Sequence, residues 1–231
     1  MDPLVLSTRL MTLLEDPDPD VRRTAALSIG KIAHPATEQA LVNALKDPDP
    51  LVREYSAWAV GQLGEVVDNT TAMALVGSLS DKRLGVKMAA AQALGRVGLR
   101  QSVIELLHEA ILVGKTESRY FAVEALMQLE GPSSYRVLIT ALNDSNAGVR
   151  QAAVAGLGEL GNVKALPALR KRLLQDRDTG VRTEAAYRLG KLGSQADLGA
   201  LKKAMSTDPD PLVHLWSTWA INSIDPPDSS N

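Results

Sequence analysis

Cysteine is absent from the chain. That excludes disulfides, thiol nucleophiles and thiolate-held zinc or iron–sulfur clusters. Aromatic residues are scarce, with three Trp, four Tyr and one Phe in 231 residues. Eight rings cannot build a core of this size, so the core must rest on Ala, Leu, Val and Ile, which suits thin helices that cross closely. Neither sign of charge prevails: the net charge is −2, so no basic field exists to hold a phosphate backbone, and nucleic acid is not an expected partner. No run approaches the ~18 apolar residues of a membrane span. The opening segment MDPLVLSTRLMTLLED lacks the basic stretch and cleavage pattern of a secretion signal. The expectation is a cytoplasmic protein without membrane insertion. The three histidines, His34, His108 and His214, share no metal-ligand spacing. No nucleophile elbow, phosphate loop or zinc signature occurs, so the sequence assigns no catalytic residue and no metal site.

One phrase recurs seven times, at Val21-Arg22, Val52-Arg53, Val86-Lys87, Ser118-Arg119, Val149-Arg150, Val181-Arg182 and Val213-His214. The steps between copies are 31, 34, 32, 31, 32 and 32 residues, the period of a stacked array of supersecondary units. Each unit reads as two helices. Helix A carries apolar residues at helical spacing, such as Leu41, Val42 and Leu45. Helix B starts at the repeated pair. Asp-Pro turns separate them, as in Asp47-Pro48-Asp49-Pro50; proline ends the first helix and is tolerated in the first turn of the second. A glycine falls nine residues after the Val in five copies (Gly30, Gly61, Gly95, Gly158, Gly190). Its helix-propensity cost of ~1 kcal/mol points to close approach of a neighbouring helix. A second glycine three residues on, at Gly64, Gly98, Gly161 and Gly193, reads as the stop of helix B.

An aspartate precedes the second-position cation by six residues in six copies, from Asp16 and Arg22 to Asp208 and His214. One such pair alone would suggest catalysis, but six repeats of it read as structure: a carboxylate that caps helix B and pairs with a cation of a neighbouring unit. The fourth copy breaks the frame, with Val113 in place of the Asp, Ser118 in place of the Val and Met127 in place of the Gly. Broken local rules often mark functional sites.

The phrases DPDPDVRRTAALSIGKIA, DPDPLVREYSAWAVGQLG and DTGVRTEAAYRLGKLG resemble the HEAT-repeat class, and more closely its phycobilin-lyase-like subfamily. The resemblance covers residues 3 to 224. The tetratricopeptide pattern fits poorly because its Trp-Leu-Gly-Tyr signature is missing. The HEAT-like deoxyhypusine hydroxylases need several His-Glu pairs, and only His108-Glu109 occurs. The HEAT-like DNA glycosylases have strongly basic grooves, unlike this chain. The implied fold is all-α: a right-handed solenoid of seven HEAT-like helix pairs over residues 1–224, followed by a disordered tail at 225–231.

With the first residue of each phrase as position one of helix B, positions 1, 5, 6, 9 and 12 form an apolar stripe. Positions 3, 4, 7 and 11 lie opposite and, by the resemblance, line a concave groove. Seven of the eight aromatics fall there: Tyr55, Trp58, Tyr120, Phe121, Tyr187, Trp216 and Trp219. Only Tyr135 lies elsewhere. Exposed Tyr and Trp give large contact area at low entropy cost and usually mark binding; the competing reading is packing between adjacent B helices, with the last Trp pair sealing the array. Glu124 stands among them, in the irregular fourth unit. The resemblance implies a non-catalytic scaffold or chaperone-like protein whose groove takes a phycobiliprotein, a second HEAT-like subunit or a related protein. Its alternative is a phycobilin lyase, or lyase subunit, that attaches an open-chain tetrapyrrole to a phycobiliprotein cysteine. In that case phycocyanobilin is the expected ligand, with Arg23, Arg96 or Lys191 pairing its propionates.

Overall fold

A computed structural model describes residues 3–64, 67–97, 101–129 and 132–226. Among these residues there are fourteen α-helices and no strand. The A helices are α1 (Pro3–Leu13), α3 (Glu38–Ala44), α5 (Asn69–Ser78), α7 (Gln101–Val113), α9 (Pro132–Ala141), α11 (Leu166–Gln175) and α13 (Leu198–Thr207). The B helices are α2 (Pro19–Ile32), α4 (Pro50–Leu63), α6 (Leu84–Arg96), α8 (Thr116–Gln128), α10 (Ala147–Glu159), α12 (Thr179–Leu192) and α14 (Pro211–Ile224). The fold is therefore the expected all-α succession of seven helix pairs. From residue 227 on, the expected tail lies outside the described residues, as does Gly98.

The chain forms two compact units, Met1–Ser134 and Tyr135–Asn231. In the first, α2, α4, α6 and α8 pack in succession, each against its own A helix. In the second, α10, α12 and α14 pack in succession, with α11 against α12 and α13 against α14. The apolar stripe is buried as its spacing requires: Val52, Ala57 and Val60 in α4, and Val181, Ala185, Ala186 and Leu189 in α12, are fully enclosed. Position 8, which lies outside the stripe, is buried too, at Ala59, Ala93, Ala125 and Ala220.

Glycine at position 10 explains that burial. A Cβ at Gly61 would stand 2.9 Å from the Ala93 Cα and 3.0 Å from its Cβ. At Gly30 it would stand 2.9 Å from the Ala59 Cβ, and at Gly190 2.8 Å from the Ala220 Cβ. The seat of α4, α6 and α14 is thus the bare backbone of the B helix before each. Where B helices stop, Gly64 and Gly161 take positive φ, +67° and +61°; in the first unit the same place holds Ala33, at φ +52°.

The turns assign two jobs to two aspartates, where the sequence suggested one. The helix caps are Asp18, Asp49, Asn146, Asp178 and Asp210; Asp49 Oδ1, for example, accepts from Leu51 N and Val52 N at 2.9 and 3.0 Å. The aspartate two residues earlier closes the turn instead: Asp47 Oδ1 accepts from Asp49 N at 2.8 Å. It also receives the arginine of the preceding unit. Arg22 Nε and Nη2 donate to Asp47 at 2.8 and 2.9 Å, while Nη1 donates to the Asp16 carbonyl of its own turn at 2.9 Å. Arg53 bridges to Asp81, Arg150 to Asp176 and Arg182 to Asp208, each also holding its own turn carbonyl. Lys87 faces no such aspartate, because Val113 occupies the place and is 77% exposed. The lysine, itself buried, pairs with Glu117 instead.

Two predictions test these devices. Gly61→Ala should lower the melting temperature although alanine is the better helix former, because overpacking costs about 1–3 kcal/mol. Gly77→Ala, with nothing within 4 Å of its Cβ, should raise stability by about 0.5–1 kcal/mol. A Gly61→Ala protein that melts at or above the wild-type temperature would refute the seat. The ladder should show in acid. Burial raises the Asp176 carboxyl, but the hydrogen bonds from Arg150, Asp178 N–H and Arg172 and the Arg150 charge together reverse this, and its pKa lies below the ordinary value; for Asp81 and Asp208 burial is likewise opposed by the ladder arginine and a turn N–H. A lowered folded pKa means that this stability is present above the unfolded value near ~4 and is lost as pH falls through the folded value. The melting temperature should therefore drop steadily below about pH 4, and less steeply in Asp176→Asn. Asp176→Ala strands a guanidinium whose side chain is 4% exposed and should cost about 3–5 kcal/mol.

Candidate functional site

All eight aromatic side chains are half-buried. None belongs to the enclosed core, which is aliphatic as composition required. The irregular fourth pair supplies the first cluster. On α8, Tyr120 and Phe121 meet edge to face, with centroids 5.2 Å apart and planes at 89°. Glu124 lies one turn beyond Tyr120 on the same side of the helix. Burial, then the adjacent Glu124 carboxylate, raise the Tyr120 phenol above its ordinary pKa.

These three residues form one wall of a cleft of about 360 Å³ between α6 and α8. The facing wall carries Leu84 and Met88, which are 59% and 47% exposed, followed by Ala91 and Gln92. Gln128 completes the α8 side. Among the described residues the lining holds one charged side chain, Glu124, and no Lys, Arg or His. Met88, Gln92 and Gln128 occupy positions 3, 7 and 11 of their helices, so the frame that located the rings also located them. Attention to aromatics alone passes over Met88. Leu84 precedes its Val by two residues, outside the groove positions, and carries no signal in the period.

Tyr55 and Trp58 belong to α4 and do not line this cleft. The Trp58 ring lies across Gly30 of α2, where any Cβ would collide with it. Its Nε1 donates to the Gln62 side-chain oxygen at 3.1 Å when that amide is turned to accept, and Arg96 Nη1 donates to the same oxygen. In the second unit Tyr187, Trp216 and Trp219 touch one another. Tyr187 stacks on Trp219 at 5.3 Å and 26°, and Trp216 meets both rings edge-on. Trp219 lies across Gly190 as Trp58 lies across Gly30. Trp58 and Trp219 are thus each seated on a glycine of the preceding B helix and remain half-buried.

The three cations expected to pair propionates are placed differently from one another. Arg23 is held by Asp49, at 2.9 Å from Nε, and by Asp20, and Arg96 by Gln62. Lys191 lies 5.9 Å from the centroids of both Tyr187 and Trp219, within cation–π reach. Arg188, 5.1 Å from the Tyr187 ring, is paired with Glu159 and Glu184. Among the histidines, His34 Nδ1 accepts from Ala36 N at 3.2 Å, and His214 Nε2 meets the Asp208 carbonyl in the arginine's place. Among the described residues no three His, Asp or Glu converge on a metal position, and no helix is long and apolar enough to cross a membrane.

The seats separate the rings by role. Trp58→Ala should lower stability by about 2 kcal/mol, short of the 3–5 typical of a fully buried Trp. Phe121→Ala, which leaves no helix unseated, should lower it by about 1 kcal/mol or less. Equal losses in thermal melts would show Phe121 to be core.

Comparison with known proteins fits this geometry. The profile for HEAT repeats matches residues 7–83 and 135–222, well over half of the chain. The profile for the PBS lyase HEAT-like repeat matches residues 118–144, which begin within α8 of the cleft. No curated protein matches the chain in sequence. Among solved structures, the archaeal HEAT-like repeats protein from Thermococcus onnurineus NA1 aligns at 12% identity over 95% of this chain and 97% of that one, with a TM-score of 0.54. The complex of CpcE and CpcF of phycocyanin lyase from Nostoc sp. PCC7120 aligns at 20% identity over 97% and 95%, with a TM-score of 0.51. At these identities both likenesses concern the fold. Helix pairs, glycine seats and a turn ladder recur along the chain, and the repeat profile spans both units; the chain belongs to the HEAT-repeat family.

Proposed function

We propose that this chain is a non-catalytic binding scaffold, chaperone-like in action, that holds a partner protein against the aromatic face of its B helices. The observation that carries the reading is the cleft between α6 and α8. It joins half-exposed rings to exposed Leu84 and Met88 in a protein whose core needs no aromatics. Apolar surface left open beside anchored rings is what interfaces bury. The similarity of residues 118–144 to the PBS lyase HEAT-like repeat supports a phycobiliprotein as the partner, or a second HEAT-like subunit. The cytoplasm is the compartment that goes with this reading.

One observation favours bilin handling instead: Lys191 and Arg188 stand over the Tyr187 and Trp219 rings, as cations would beside a conjugated ligand with propionates. Against it, Arg188, Arg23 and Arg96 are already held by protein groups. The one charged side chain that lines the cleft among the described residues, Glu124, has the same sign as a propionate. The scaffold reading is therefore preferred.

Surface-plasmon titration of apo-phycocyanin over the immobilised chain tests it. Saturable binding is expected, weakened about tenfold or more by Tyr120→Ala/Phe121→Ala, in line with the loss of a hot spot. A double variant that binds as tightly as the wild type would remove the cleft from the interface, and no binding at all would remove phycobiliproteins as the partner. A parallel titration with phycocyanobilin, monitored by visible absorbance, should give no sharpened band; a saturable one would transfer the protein to bilin handling.

A further inference from the structure

The cleft is polarised along its length. Helices α6 and α8 run the same way. Ser80 and Ser118 hydroxyls meet at 2.8 Å near their N-terminal ends, and the Gly95 backbone lies under Gln128 near their C-terminal ends. Leu84, Met88 and Phe121 occupy the N-terminal part; Gln92 and Glu124 come about one turn later, and Gln128 one turn beyond Glu124. At 1.5 Å per residue the apolar and polar ends are ~6 Å apart. That is the distance between residues one turn apart on a bound helix. It is also within reach of one long side chain.

We infer that the cleft selects a cationic amphipathic segment: a bulky apolar side chain seated between Met88 and Phe121, with a Lys or Arg about one turn away that meets Glu124. This rests on the scaffold reading of the same cleft and specifies what the partner must present there. Charge complementarity decides between occupants. Among the described residues Glu124 is the only charged side chain in the lining. The Tyr120 hydroxyl beside it is a donor, and a carboxylate has acceptor sites enough to take that hydrogen bond and a cation's as well. No cation among the described residues is seen on it: Arg83 pairs with Glu54 at 3.5 Å, Lys87 pairs with Glu117, and Arg96 donates to the neutral Gln62 amide of α4. An acidic or propionate-bearing occupant would face an unpaired like charge in a half-buried site, where repulsion is stronger than in water.

The probes are 4-phenylbutylamine and 4-phenylbutyrate, which share the apolar body and differ in the sign of the head. Binding to the full chain is monitored by methyl NMR of Met88 and by isothermal calorimetry. At neutral pH the amine should bind about tenfold more tightly than the carboxylate, and the preference should shrink as salt rises. Glu124→Gln should abolish the preference while circular dichroism and melting stay as in wild type. Phe121→Ala should weaken both probes alike. The inference is overturned if wild type shows no preference, if Glu124→Gln retains it, or if neither probe shifts Met88. Its failure is distinct from that of the scaffold reading. Loss of apo-phycocyanin binding in Tyr120→Ala/Phe121→Ala, with no amine preference, keeps the scaffold and discards the cation. A preference without apo-phycocyanin binding keeps the cation and discards that partner.

Discussion

An arginine side chain presents five donors in a rigid plane, and the ladder in this protein uses all three of its nitrogens. Nε and Nη2 go forward to the two carboxylate oxygens of the next turn, and Nη1 goes back to a carbonyl of the arginine's own turn. Both ends of the bridge are backbone features, since the receiving aspartate itself closes a turn by accepting an N–H. One side chain therefore fixes the distance and rotation between successive turns, and with them the angle at which each B helix leaves its turn. The helices then meet over glycine, where tolerance is smallest. A lysine cannot substitute, because its ammonium is a point charge without a planar fork.

The single lysine rung is the place where this constraint is relaxed. Lys87 has no aspartate ahead of it and reaches Glu117 on α8; Ser118, in place of Val, is buried and bonded to Ser80. The cleft lies between the two helices that this rung joins, α6 and α8. Elsewhere in the first unit the α2–α4 contact is sealed by Trp58 on Gly30. The α6–α8 contact has Gln128 over Gly95 and Glu124 at the tryptophan's position. A carboxylate at the seventh position cannot lie across a helix backbone as an indole does, so the space above stays open.

Much of this was legible in the sequence because the repeat converts chemistry into period. The Val-Arg phrase located helix B and the six-residue spacing located the ladder; the tenth-position glycine predicted the close helix contact found at Gly61 and Ala93. Three features escaped. The cap and the turn-closing aspartate are both Asp in the Asp-Pro-Asp-Pro turns, so spacing alone could not divide their roles. The seating of Trp58 and Trp219 on glycine depends on which helix stands behind each ring, a relation between repeats that no single repeat displays. Leu84 lies before its helix phrase, and its part in the cleft comes from the geometry of the turn.

The same relation between repeats bears on what the face can recognise. A HEAT-repeat stack has few buried polar groups to spare, and its arginines are consumed in order: Arg22, Arg53, Arg150 and Arg182 by the ladder, and Arg23, Arg96 and Arg188 by neighbours on the B-helix face. A ligand carboxylate that drew on Arg23 or Arg188 would have to break an ion pair, leaving Asp49 or Glu159 behind without its partner. A protein segment that brings its own cation to Glu124 breaks none. It meets a surface whose rings are held on one side by glycine seats or by each other, so little side-chain freedom is lost on binding. Lys191 excepted, the architecture that ties up cations of this face for stability leaves the cleft between α6 and α8 as acidic, apolar ground.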